Sequence, residues 1–236
     1  MKKIAVLFSI LILLIANVAN AKRSKTRKLE YIEENKKVEK VEIGSKKFNK
    51  IMAEFRLEAT IKTTKGDISF YLYPEAAPRN VANFVFLAKK NFYNNLTFHR
   101  VIPNALVQGG DHKGNGTGTT GYFLNDEFVK WLNFDYAGIL ALANSGPNTN
   151  SSQFFITMQA ISSLNGKHTI IGGTKSREDL GNLRLLKQGD KILDIEIKGK
   201  NVNKFLDYFP NEVTEWESKL EKPLPSNEQN ETESSQ

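Results

Sequence analysis

Apolar and polar residues alternate through Ala59-Thr60-Ile61-Lys62-Thr63 and again through Asp67-Ile68-Ser69-Phe70-Tyr71-Leu72-Tyr73, with Lys65-Gly66 between the two runs. A period of two belongs to a strand with one face buried, and Lys-Gly supplies turn chemistry, so the pattern predicts a β-hairpin whose inner face needs a cover. Pro78 then offers a first helical position. Val81, Phe84, Val85 and Ala88 follow at i, i+3, i+4 and i+7, the apolar stripe of an amphipathic helix that Asn91 ends. From Thr97 to Phe155 the signals are short strands parted by Gly-rich connections such as Gly114-Asn115-Gly116-Thr117-Gly118. Without sustained helical periodicity, that stretch implies a barrel or sandwich. A second helix is expected around Asp179 to Gln188. Ile192, Ile195 and Ile197 mark a final strand able to pair back with the first hairpin and remove an exposed edge.

The chain contains no Cys, so disulfides, thiolate metal sites and a cysteine nucleophile are all excluded and packing must hold the fold. Its N-terminus has the form of an export signal: Lys2 and Lys3, an apolar run from Ile4 to Ile15, and the small-x-small site Ala19-Asn20-Ala21. Residues 1–21 are therefore expected to be removed and the protein to be periplasmic or extracellular, or membrane-anchored if the signal is kept. Without Lys2 and Lys3, 31 basic residues face 26 acidic ones. The surplus is concentrated in residues 22–56, which read as a basic arm or linker. Its lysines and arginines are interleaved with Glu and nearly free of aromatic residues, which predicts a solvated tether with at most weak contact to membrane or cell wall, and no nucleic-acid partner. Residues 57–200 read as one domain and 201–222 as a helical extension, in which Val202, Phe205, Leu206 and Phe209 precede Pro210, and Val213, Trp216 and Leu220 recur at helical spacing. Residues 223–236 carry no large apolar side chain after Leu224 and are expected to be a disordered acidic tail. A monomer is expected.

Two short runs carry the chemistry: Thr97-Phe98-His99-Arg100-Val101-Ile102-Pro103 and Ser152-Gln153-Phe154-Phe155-Ile156, with Gln108-Gly109-Gly110-Asp111 between them and Ala143-Asn144-Ser145-Gly146-Pro147 just before the second. In these residues the chain resembles the cyclophilin-type peptidyl-prolyl cis-trans isomerases, from about Glu58 to Lys198, and with its leader it looks like a bacterial, exported member. The resemblance implies a mainly β fold, a closed eight-stranded antiparallel barrel capped by two α-helices, here with the short C-terminal helical extension. It implies no cofactor, no metal, and proline-containing polypeptides in folding exported proteins as substrates. It also implies site roles. Arg100, Gln108 and Phe155 would be catalytic, Arg100 polarising the prolyl nitrogen, Gln108 bonding a substrate carbonyl and Phe155 flooring the ring pocket. Leu106 and Leu164 would line that pocket with His168 at its edge, and Ala105 would stand on its wall. Asn144, flanked by Ala143 and Ser145, would hold the peptide backbone; Gln153 and His99 would support the site; Gly116 would approach the residues before the proline.

The chemistry suits the residues. Rotation about a peptide bond is opposed by ~18–20 kcal/mol because the nitrogen lone pair is delocalised into the carbonyl, and a donor on the prolyl nitrogen would localise it. The Arg100 guanidinium is charged at any physiological pH and presents its N–H groups in a fixed fork. Two departures stand out: Ala105 where the family usually has Phe, and Ser163 where many members carry Trp. The thinner wall should weaken apolar contact by about 1–3 kcal/mol, leaving activity but making cyclosporin-class ligands weak binders. Two rival readings exist. One is a catalytically weak proline-peptide-binding chaperone or adhesin on the same fold. The other is metal or hydrolytic chemistry from His99, His112, His168 and Asp111, for which no ligand spacing and no Gly-x-Ser-x-Gly elbow exists.

Overall fold

The computed structural model describes residues 41–220. The expected export signal 1–21, the part of the expected arm up to residue 40 and the expected acidic tail 223–236 lie outside the described residues.

The first hairpin forms where alternation placed it, as β1 (Leu57–Thr63) and β2 (Gly66–Leu72), with Gly66 at φ 111° turning the chain. Every second residue of β1 is buried, so Leu57, Ala59, Ile61 and Thr63 face the interior. Helix α1 precedes it at Lys46–Glu54. Ser45 caps α1 by accepting a hydrogen bond from the Phe48 amide (3.1 Å), and Phe48 and Met52 are fully buried. The last part of the expected basic linker is therefore a packed helix. Its lysines hid a short apolar face that has meaning only against residues distant in sequence.

Helix α2 runs Pro78–Lys89 with Pro78 at its start, and Asn91 beyond it adopts a left-handed φ of 56°. Ala77 offers no side-chain cap. The Glu127 carboxylate takes that place, accepting from the Arg79 amide (3.3 Å), the Asn80 amide (2.9 Å) and Asn80 Nδ2 (2.8 Å). A negative group at the positive end of the helix is favourable on charge as well as hydrogen bonding.

Six more strands follow: β3 (Arg100–Ile102), β4 (Leu106–Gly109), β5 (Ile139–Leu142), β6 (Phe154–Thr157), β7 (Ile170–Thr174) and β8 (Ile192–Gly199). With helix α3 at Arg177–Leu185, the eight strands form one antiparallel sheet in the order β3-β4-β6-β5-β7-β2-β1-β8. The last strand pairs with the first, Ile61 opposite Ile195 and Ala59 opposite Ile197. A ladder running fully around the barrel, as expected from the sequence, is not formed. β3 and β8 are the sheet edges, and the chain just before each meets in a short seam: a Thr97–Lys191 bridge with Phe98 N–H donating to the Asp190 carbonyl (2.8 Å) and Ile192 N–H to the Leu96 carbonyl (2.8 Å).

All four residues of β5 and all four of β6 are buried. The inward set, including Phe154 and Ile156, joins the main core, while Phe155, Ala141, Ile139, Phe134 and Ile170 form a second, smaller cluster on the outer face. Two-sided burial is what positions the site, because it gives the outside of the sheet an apolar floor.

The C-terminal extension forms α4 (Val202–Phe205), a 3₁₀ turn (Leu206–Tyr208) and α5 (Pro210–Lys219). Phe205 and Phe209 are fully buried and Trp216 nearly so. Phe209 meets Phe48 of α1 edge to face (5.9 Å), Phe205 meets Phe55 (5.0 Å), and Trp216 lies against Phe86 of α2 (5.6 Å) and stacks on Tyr122 (6.1 Å). Arg79–Glu212 (3.2 Å) and Lys90–Glu217 (2.6 Å) tie α5 along α2.

Candidate functional site

Register sets the central geometry. Arg100 of β3 is opposite Gln108 of β4, Gln108 opposite Phe155 of β6, and Phe155 opposite Ala141 of β5. Directly paired residues project from the same face, so Arg100, Gln108 and Phe155 form one row across three strands on the outer side of the sheet. An Arg100 guanidinium N–H donates to Gln108 Oε1 (3.1 Å), Gln108 Nε2 donates to Gln153 Oε1 (3.0 Å), and Gln153 Nε2 donates to the carbonyls of Gly116 and Gly118 (3.0 Å each). This relay orients the exposed Arg100 side chain and links it to the Gly-rich loop.

Around Phe155 the side chains expected to line a ring pocket lie together. Leu106, Leu164 of a 3₁₀ turn (Ser162–Leu164) and Ala143 pack against the outer cluster. His168 meets the Phe155 ring edge to face (5.2 Å). Because a carbonyl only accepts, the contact between His168 Nδ1 and the Leu142 carbonyl (3.1 Å) makes Nδ1 the protonated nitrogen. Burial holds His168 below the usual imidazole range, against the opposing pull of that carbonyl. Ala105 is half-buried in the β3–β4 turn, its carbonyl accepting from the Met158 amide (2.7 Å), and Ser163 is exposed.

Gly116, Asn144, Ser145, Ala143, Gln108 and Gln153 line a separate cavity of about 130 Å³ beside the row. Asn144 Nδ2 donates to the Lys167 carbonyl (2.8 Å), and the Ser145 amide to Thr149 Oγ1 (2.9 Å), which shapes one wall. The opposite wall is organised by Asp111, which is almost fully buried and accepts from the amides of Lys113 (2.8 Å), Asn115 (3.1 Å) and Gly116 (2.5 Å). Burial alone would raise the Asp111 carboxyl; the amides outweigh it and hold it below the ordinary range. Gly118 is compelled to be glycine, since a Cβ there would collide with Asp111 Oδ1. His99 is half-buried, its ring nitrogens without a hydrogen-bond partner among the described residues; burial, helped by the Arg100 charge, lowers its pKa against the opposing pull of Asp111.

The expected residues thus divide between the ring pocket and the flanking cavity, joined by Gln108 and Gln153. Two residues of weight were not anticipated. Phe134 stacks against Phe155 (5.8 Å, 14° between planes) from a loop with no periodicity. Asp111 enters the sequence reading only through metal or hydrolytic chemistry, although an Asp entering a glycine-rich run is itself a loop-organising signal. Among the described residues no three His, Asp or Glu side chains converge to hold a metal ion.

The fold and sequence of this chain have known counterparts. The family model for "Cyclophilin type peptidyl-prolyl cis-trans isomerase/CLD" matches residues 58–202, and the chain belongs to that family. Peptidyl-prolyl cis-trans isomerase-like 2 of Aspergillus oryzae is 49% identical over 133 residues, 53% of this chain and 23% of that protein. Isomerase-like 1 of Gibberella zeae is 42% identical over 142 residues, covering 58% and 86% of the two chains. Peptidyl-prolyl cis-trans isomerase B of Streptomyces anulatus is 46% identical over 136 residues, covering 51% and 77%. The matched part spans only about a fifth to a quarter of the length of the isomerase-like 2 proteins. A solved cyclophilin-type isomerase of Cryptosporidium parvum superposes with a TM-score of 0.57 at 35% identity, covering 62% of this chain and 99% of that one. That protein was also crystallised in the presence of the dipeptide Ala-Pro.

Proposed function

We propose that this protein is a peptidyl-prolyl cis-trans isomerase acting on proline-containing polypeptides, with Arg100 polarising the prolyl nitrogen. The observation that carries the reading is the in-register row Arg100–Gln108–Phe155 on the outer face of the sheet. Strands neighbour at ~4.8 Å, so Arg100 lies about 10 Å across the sheet from Phe155, a gap that an Arg side chain and a bound proline ring together span. With the ring seated on Phe155 between Leu106, Leu164 and His168, a guanidinium N–H donated to the prolyl nitrogen localises its lone pair and removes double-bond character from the C–N bond. Gln108 holds Arg100 in place and donates toward the substrate carbonyl. No covalent intermediate forms.

The magnitude is adequate. Raising an unaided rate near ~10⁻² per second to an ordinary turnover near ~10³ takes ~10⁵-fold, about 7 kcal/mol, within reach of a few donors that bind only the twisted state. The Ala-Pro dipeptide named with the C. parvum relative supports a proline-containing substrate. The leader-like residues 1–21 support folding proteins outside a bacterial cytoplasm as the clients. The test is cis–trans exchange of an Ala-Ala-Pro-Phe peptide followed by NMR with wild type and Arg100→Ala. A loss of at least ~10²-fold in kcat/KM is expected. Equal rates with peptide still bound would replace the enzyme with a proline-binding module.

A further inference from the structure

A second cavity, of about 250 Å³, lies beside the ring pocket and shares no residue with the Gly116 cavity; it is bounded by Phe128, Val129, Leu132, Phe134, His168 and Ile170. We propose that it receives an apolar side chain, an aromatic one above all, from the same polypeptide whose proline occupies the ring pocket, making Phe128 a specificity-determining residue. This rests on the isomerase reading of the cleft.

Continuity with that cleft identifies the occupant. His168 is common to both: its ring meets Phe155 at 5.2 Å, and it also walls the cavity. Phe134, another wall residue, is stacked on Phe155. The two depressions are thus one side chain apart, and an extended chain advancing ~3.3 Å per residue passes from one to the other in two to four residues. The size fits, since a cavity of ~150 Å³ already admits benzene.

The walls are pinned before any ligand arrives. The Phe134 amide donates to Asn165 Oδ1 (2.8 Å), and Glu127, the acidic group on the wall, is engaged by Asn80 and the Arg79 amide. Lys130, Asn133 and Asn165 also line the cavity, but with Glu127 occupied its surface is more apolar than polar. Phe128 is 49% exposed, and Trp131 and Tyr136 on the same loop are 62% and 49% exposed. Aromatic side chains left in water next to a preformed apolar hollow gain by covering a similar group. The Gly116 cavity stands on the Gln108–Gln153 side and this one on the His168 side, so the two serve opposite flanks of one extended peptide.

The test uses the full chain and a ten-residue Ala-based peptide with one proline, in which Phe is moved through each position from two to four residues before and after it. NMR exchange gives kcat/KM. Wild type should prefer Phe over Ala roughly tenfold at positions on one flank only. Phe128→Ala should cut that preference below about threefold while turning over the all-Ala peptide at the wild-type rate, and Phe128→Leu should restore most of it. Absence of any Phe preference, or a preference that survives Phe128→Ala, overturns the proposal. Should wild type fail to accelerate even the all-Ala peptide, the isomerase reading falls instead. The cavity is then judged by amide shifts of Phe128 and Gly166, which must show the Phe peptide binding tighter than the Ala peptide or the proposal falls too.

Discussion

Asp111 concentrates more of the site's architecture in one side chain than any residue of the row. Three amides of the Gly-rich loop converge on its buried carboxylate, and Gln153 grips the same loop through the Gly116 and Gly118 carbonyls. Asp111→Ala removes the acceptor shared by three loop amides and should cost about 1–3 kcal/mol in urea unfolding. Because it loosens the loop rather than the guanidinium, KM for peptide should rise more than kcat falls; the reverse split would show that the loop does not hold substrate. His168 makes a different, pH-dependent contribution. Burial lowers its folded pKa, so the unfolded chain binds the proton more readily. That stability is fully present above about pH 6.5 and is lost as pH falls through the folded value. His168→Gln should therefore flatten the fall of the urea midpoint between pH 7 and pH 5, and an unchanged slope would contradict the assignment.

Among elements, local signals read well wherever the partner was near in sequence. The hairpin was read to within two residues, α2 starts at Pro78 and ends before Asn91, and α3 spans Arg177–Leu185 where Asp179 to Gln188 was expected. Helix α1 was missed because Phe48 and Met52 find their cover some 160 residues away, at Phe209 and its neighbours, and nothing in a Lys-rich stretch announces that. Phe134 escaped for the same reason: its stacking partner comes from another element. The row itself was legible through its motifs, but not its basis, which is that β6 is covered on both faces. The α1–α5 layer yields its own prediction. Phe48→Ala and Phe209→Ala should each cost about 3–5 kcal/mol, and the double variant should cost less than the sum by about 0.5–1.5 kcal/mol, read from thermal unfolding. Strict additivity would mean that the rings do not act as a pair.

For the molecule as a whole, the formal charge of +7 includes a basic segment following an apolar run, and the proposal that it works outside the cytoplasm makes a direct demand. Protein recovered from the extracytoplasmic fraction should begin at Lys22, and a cytoplasmic pool beginning at Met1 would refute the proposal. At the same scale, the sheet is fastened unevenly. Strands β5 and β6 are locked by packing above and below, whereas β3, which carries Arg100, meets β8 only through the brief seam at residues 95–98 and 189–192. The guanidinium thus rides on the loosest stave of the cask while the proline seat is built into the tightest. Substitutions at Thr97 and Lys191, the bridged pair of that seam outside the core, should tilt the charge relative to the seat and retune turnover, leaving the grip on the ring, and most of the melting temperature, untouched.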